Sequence, residues 1–250
     1  MKEKIINKED FITTKWAGGE TTQLAIYPEN AVFSEKDFLW RISSATFTST
    51  ESKFSDFSNY QRYILPLEGK LSVYHEGLYN RKLNKYEVEY FDGSWSTFSK
   101  NTLDCRDYNF IVKSGNIAKM QILKEGDNYL LKKSEIVTVF SMDDYFINLN
   151  DKRRNIDGFS LLILETDDEE KISIARADSV VIITEFLIKW RKEYILFSLF
   201  LLYDWFYLLL VITEIIIIFF TNTRLYILAL KSNKKPWKNP GENYLFYYDV

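Results

Sequence analysis

The sequence predicts an all-β fold, a sandwich or a barrel, over roughly its first 186 residues. Short runs of alternating apolar and polar residues recur there at even spacing. Turn signals separate them, among them Asp92-Gly93, Lys113-Ser114-Gly115-Asn116 and Gly126-Asp127-Asn128. Helical periodicity is scarce over the same stretch.

Taken in order, residues 1–15 read as an opening strand carrying Ile5, Ile6, Phe11 and Ile12. Gly18-Gly19 marks a turn or bulge. Thr21, Gln23, Ala25 and Tyr27 then alternate with Thr22, Leu24 and Ile26, which gives a strand with Thr21 and Gln23 on its polar face. Pro28 ends it. Residues 38–77 hold two more strands, each with an arginine inside an apolar run. Leu39, Arg41, Ser43, Ala45 and Phe47 share one face of the first; Arg62, Ile64, Pro66 and Glu68 share one face of the second. Segments at 83–90 and 95–98 follow. In 107–112, Asp107, Asn109 and Ile111 face opposite to Tyr108, Phe110 and Val112. Further strands are predicted at 118–123, 135–141, 159–165, 171–175 and 179–186.

A chain of 250 residues that is 46% hydrophobic can bury a sizeable core. A net charge of −3 gives no signal for nucleic acid. Residues 1–186 carry a net −6 and residues 187–250 a net +3. Composition shifts at the same place, so a boundary is placed there. The lone cysteine, Cys105, excludes an internal disulfide and suits a reducing compartment. The first residues, MKEKIINKEDF, lack the apolar stretch of a secretory signal.

Several chemistries find no footing. One histidine, His75, cannot build a multi-histidine metal site, and it reads as a surface or turn residue. The acidic runs at 143–144 and 167–170 read as solvated loops, so no metal and no cofactor is expected. A Ser–His–Asp arrangement would have to use His75, and no G-x-S-x-G elbow is present. Phosphate-binding glycine loops are absent.

The run Trp16-Ala17-Gly18-Gly19-Glu20-Thr21, then Trp40-Arg41-Ile42-Ser43, Phe54-Ser55, Arg62, Glu68-Gly69 and Asp107-Tyr108-Asn109-Phe110, resembles the HutD/Ves family. The motifs stand in the family's order over roughly residues 8–186, with Tyr108 where the family commonly has phenylalanine. The resemblance implies a cupin-like double jelly roll (a bicupin), with halves at about 1–118 and 119–186. It also implies a cytoplasmic protein that binds a small carboxylate- or formyl-bearing metabolite and regulates histidine utilisation in bacteria. The alternative is a metal-independent isomerase or hydrolase working on a similar acid through Asp107 or Glu68.

The candidate ligand-binding residues are Thr21, Gln23, Arg41, Ser43, Arg62, Asp107 and Asn109, all on strand faces that can point into one barrel. A guanidinium holds a carboxylate in a bidentate fork, and the amides offer both donor and acceptor. The competing reading pairs Asp107 with an arginine and closes a polar core network.

Residues 194–220 form a 27-residue apolar run carrying only Asp204 and Glu214 as charges. As a helix it would be about 40 Å long, more than the ~30 Å hydrocarbon core of a bilayer. Three readings stand for this hydrophobic, helical extension. It anchors a membrane, it packs on the protein or in the interface of a homodimer, or it is not a selected extension. The expected partners are therefore a small carboxylate and a membrane or a second copy, with no nucleic acid.

Overall fold

Among the described residues, nineteen strands follow one another in the computed structural model, and two short 3₁₀ turns connect some of them. The first eleven are β1 (Lys2–Ile6), β2 (Ile12–Trp16), β3 (Gly19–Tyr27), β4 (Trp40–Phe47), β5 (Glu51–Lys53), β6 (Tyr60–Glu68), β7 (Leu71–His75), β8 (Tyr79–Leu83), β9 (Glu89–Asp92), β10 (Thr97–Asn101) and β11 (Arg106–Lys113). The rest are β12 (Ile117–Leu123), β13 (Asn128–Leu131), β14 (Glu135–Phe140), β15 (Tyr145–Leu149), β16 (Lys152–Ile156), β17 (Leu161–Glu165), β18 (Glu170–Ala177) and β19 (Val181–Leu187). The described residues are 1–187, apart from 134, 150, 151, 167, 178 and 179, together with Thr213.

The chain divides into two compact units, Met1–Trp190 and Arg191–Val250. The apolar run 194–220, with its membrane, packing and non-selected readings, lies outside the described residues apart from Thr213. Among the described residues no helix is long and apolar enough to cross a membrane.

The strands form four antiparallel sheets. A six-stranded sheet, β2-β3-β4-β11-β6-β9, faces a four-stranded one, β5-β10-β7-β8, and together they make the first barrel. A five-stranded sheet, β1-β17-β14-β19-β12, and a four-stranded one, β13-β18-β15-β16, make the second. The chain's first strand thus completes the second barrel: β1 pairs with β17, from Lys2 opposite Glu165 to Ile6 opposite Leu161. The predicted all-β architecture of two barrels is what the described residues up to Leu187 adopt.

Two apolar layers explain the arrangement. The two large sheets pack on each other through Trp40, Ile42, Leu65, Phe110, Phe140 and Phe186, all buried. The second barrel's interior is filled by side chains such as Leu131, Val139, Tyr145 and Ile183. Strand β14, sequence EIVTVF, is buried on both faces: Ile136 and Phe140 go to the interface between barrels, Val137 and Val139 to the barrel interior. That is why it reads as a continuous apolar run instead of an alternating one.

Some elements differ from the sequence reading. The segment expected at 83–90 divides into the end of β8 and the start of β9, because Tyr86 takes a left-handed conformation (φ 64°) and the Glu87 carboxylate accepts from the Asn84 backbone N–H. Strand β16, KRRNI, shows no useful alternation of its own. Its register is set by β15, with Tyr145 opposite Ile156.

Gly69 turns β6 into β7 with φ 64°, and a Cβ there would lie 2.7 Å from the backbone of Cys105. Backbone cannot yield as a flexible side chain does. A Gly69→Ala protein is therefore expected to lose about 2 kcal/mol of unfolding free energy or more. Urea denaturation checks this, and an unmoved midpoint would remove the tight turn from the account.

Candidate functional site

Strands β3, β4, β11 and β6 lie side by side in the first barrel's large sheet, and their registers decide which polar side chains meet. Gln23 is opposite Ser43, Ser43 is opposite Asn109, and Asn109 is opposite Ile64. One step along, Arg41 and Arg62 flank Ile111 from its two sides. The same face carries Ala45, Phe47 and Ile64, which pack with Leu71 and Val73 of the opposite sheet. The opposite face carries Trp40, Ile42, Tyr108 and Phe110 toward the second barrel. Period-two alternation therefore turns both guanidiniums into the first barrel.

Both arginines are 5% exposed. Arg41 donates from Nε to Gln23 Oε1 at 2.9 Å and from Nη1 to Ser43 Oγ at 3.0 Å. Its guanidinium lies 4.0 Å from the ring centre of Phe33. The Arg62 guanidinium is surrounded by Phe54, Phe57 and Phe91, at 4.6, 5.5 and 5.2 Å from their ring centres. Its Nε is buried and has no hydrogen-bond partner. Among the described residues, neither arginine has a carboxylate within ion-pair distance. Burial pulls both guanidiniums down to about 10, with the charge of Asp107 working against the shift.

Asp107 sits on the same face, 4% exposed. It accepts a hydrogen bond from the Ala45 backbone N–H at 2.7 Å, beside an irregularity in the β11–β6 pairing. Burial pushes its carboxyl up to about 7, while the Ala45 N–H and the charges of Arg62, Arg106 and Arg41 hold it back. Asn109 Oδ1 is buried and has no donor. Thr21, opposite Ala45, accepts from the Trp16 indole N–H at 3.1 Å. The structure thus joins Gln23, Arg41 and Ser43 directly, sets Arg62, Asn109 and Asp107 on the same face, and ties Thr21 to Trp16. Glu68 pairs with Arg106, whose Nε is 3.5 Å from Glu68 Oε2.

The residues that sequence reading did not find are aromatic. Phe33, Phe38, Phe57 and Tyr60 form a contiguous cap of rings next to the arginines. Phe33 and Phe57 come from loop segments, where no periodicity points to the barrel. His75 corrects the sequence reading: it is 2% exposed, not a surface residue. Its Nδ1 is 2.9 Å from Thr97 Oγ1 and its Nε2 is 3.5 Å from Glu89 Oε1. Glu89 also accepts from Tyr79 Oη at 2.6 Å and from Arg81. Burial lowers the His75 imidazole below its ordinary value. Nδ1 shares a hydrogen bond with the Thr97 hydroxyl, which also donates to the Trp95 carbonyl, and Nε2 lies buried beside the Glu89 carboxylate without a hydrogen bond. The ring packs on Phe91, the same ring that Arg62 meets.

Among the described residues no three His, Cys, Asp or Glu side chains converge as a metal site. With the chain's single histidine already engaged, the residues present do not fit a cupin-type metal. Cys105 is 1% exposed, and burial pushes its thiol up to about 12, so it is held protonated at neutral pH. A separate cleft of about 360 Å³ is lined by Ile26, Tyr27 and Trp40 of the first barrel and Ile136 and Ile163 of the second; of the predicted site residues only Gln23 borders it.

The HutD family model matches residues 8–182. Among solved structures, HutD from Pseudomonas fluorescens SBW25, in a formate condition, superposes with a TM-score of 0.61 at 18% identity, covering 74% of this chain and 98% of that one. A conserved protein of unknown function from Pseudomonas aeruginosa PAO1 gives 0.63 at 22% identity, with 74% and 98% covered. Ylba from E. coli gives 0.54 at 10%, with 74% and 90% covered. At these identities the likeness carries the fold, a cupin-like double barrel. No curated protein matches the chain.

Proposed function

The chain belongs to the HutD family, and on that premise we propose that its first barrel is a metal-independent binding site for a small carboxylate- or formyl-bearing metabolite, with a regulatory role in histidine utilisation. One observation supports this above the rest. Two buried guanidiniums share an aromatic-walled face, and among the described residues no carboxylate lies within ion-pair distance of either. A buried cation without a counter-ion is costly, and an anionic ligand removes that cost. Arg41 and Arg62 hold the anion; Gln23, Ser43 and Asn109 read the group beside it; Asp107 braces the backbone at Ala45 and sets the charge of the pocket. Thr21 contributes from the edge through its bond with Trp16. The guanidiniums are covered in this form, and Phe33, a residue 40% exposed, lies over Arg41, so the ligand's way in runs past this turn.

A second reading rests on Asp107. A carboxyl near 7 is suited to moving a proton at neutral pH, which fits an isomerase or hydrolase acting on a similar acid. Glu68, the other carboxylate considered, has a side chain that is 50% exposed and pairs with Arg106, so it takes no part.

The test is a thermal-shift screen of the protein against small carboxylates, followed by calorimetric titration of the hits. Binding to the folded state raises the melting temperature. An Arg41→Ala protein is expected to bind at least about tenfold more weakly, the loss of a charge-assisted hydrogen bond, and an Arg62→Ala protein at least about a hundredfold, the loss of two. Equal binding by both variants would remove the assignment. Product formed from a bound acid would favour the enzyme reading over the binder.

A further inference from the structure

We infer that the cleft between the two barrels is a second binding site, and that it takes a neutral molecule with a planar apolar body and a carbonyl-type hydrogen-bond acceptor. This site is separate from the guanidiniums of the first barrel and does not rest on the carboxylate reading.

The cleft holds about 360 Å³, inside the range of roughly 300–1,000 Å³ that small-molecule sites span. Both barrels build it: Leu24, Tyr27 and Trp40 from the first, Ile136 and Ile163 from the second. Tyr27 and Trp40 stack with their ring planes 5° apart, so the first barrel's wall is a flat aromatic pair. A planar ring packs on such a wall. Trp40 is 2% exposed, and its indole Nε1 is buried with no hydrogen-bond partner. A buried indole N–H ordinarily finds an acceptor, and one left without it is costly. A water would answer it only with roughly two to four polar partners of its own. Leu24 and Ile136, which pack in one core cluster with Trp40, offer none. A ligand carbonyl answers the N–H and brings an apolar body for the rest of the lining. The charges of the lining are mostly matched: Lys2 pairs with Glu165, Lys4 with Glu29, and Glu3 with Arg154. Asp10 is the remaining charge, and it repels an anion. The ligand class of this cleft is therefore the opposite of the one that two buried guanidiniums attract.

The experiment uses the full-length protein with 2-acetylnaphthalene and 2-isopropenylnaphthalene, near-isosteric molecules that differ by C=O in place of C=CH₂. Calorimetric titration is expected to show the ketone binding about tenfold tighter or more, the effect of giving one buried donor its acceptor. A Trp40→Phe protein keeps an aromatic ring, lacks the N–H, and is expected to bind both molecules alike. An Ile163→Trp protein fills the cleft and is expected to bind neither. Equal affinities in the wild-type protein overturn the acceptor requirement, and a preference that persists in Trp40→Phe overturns the role of Trp40. Failure of both molecules to bind the wild-type protein, or binding undiminished in Ile163→Trp, overturns the site. The anion 2-naphthoate is expected not to displace the ketone at equal concentration; displacement overturns the neutral class. If the variants do not fold, a crystal of the wild-type protein with the ketone decides. A ring seated against Tyr27 and Ile163 supports the site, and a ring bound elsewhere overturns it.

Discussion

An Arg62→Met protein is expected to bind small carboxylates at least about a hundredfold more weakly and yet to melt at a higher temperature than the parent. Both effects have one source. Arg62 is 5% exposed, its Nε has no acceptor, and its pKa falls from 12.5 to about 10 on burial. That fall corresponds to about 3 kcal/mol held against the folded state. Stacking on Phe54, Phe57 and Phe91 returns about 2 kcal/mol. Methionine has a similar reach, brings no charge, and keeps part of the ring contact through its sulfur. A net gain of about 1 kcal/mol follows, or roughly 2–4 °C in a domain of this size. Against a bound anion the same residue supplies two charge-assisted hydrogen bonds, about 3 kcal/mol together, hence the hundredfold loss. Calorimetry reads both quantities. A variant that melts lower and binds as before would mean that Arg62 is a packing residue and nothing more.

The second large effect belongs to Asp107. Its folded carboxyl stands at about 7 against an ordinary 3.8. Between those values the folded chain holds a proton that the unfolded chain has released, so stability falls as pH rises through the window. The shift of about three units sets the limit at roughly 4 kcal/mol, fully lost above pH 7. The groups that act on Asp107 are Arg62, Arg106 and Arg41, which hold its pKa down, and the Cys105 thiol, which burial keeps neutral. The two lowered arginines titrate near 10, outside the window. An Asp107→Asn protein keeps an oxygen for the Ala45 N–H and carries no charge. Its stability is expected to match wild type near pH 4 and to exceed it by up to about 4 kcal/mol at pH 8. Anion affinity follows the same proton. Wild type is expected to bind a monocarboxylate about tenfold more tightly at pH 6 than at pH 8, because the ionised Asp107 competes for the guanidiniums; the variant is expected to show no such change. Parallel stability curves for the two proteins across pH 4–8 would show that Asp107 is not protonated in the fold.

The strand faces of the first barrel were legible from alternation alone. Arg41 with Ser43, Arg62 with Ile64, and Asp107 with Asn109 and Ile111 were each assigned to one face of a strand, and those faces turn inward together. His75 was misread because Tyr-His-Glu-Gly looks like the exposed end of a hairpin, whereas Phe91, Trp95 and Tyr79 close around the ring from other strands and loops. The aromatic cap was out of reach for the same reason: Phe33 and Phe57 come from segments without a period.

What the sequence determined by itself is therefore local. Period-two patterns set the all-β class and the direction of each side chain, because alternation is a property of one strand. The tertiary structure alone decided which strands became neighbours. Register is a relation between segments distant in the chain, and it set Arg41 and Arg62 on either side of Ile111, left Arg62 Nε and Asn109 Oδ1 without partners, and carried the first strand into the second barrel.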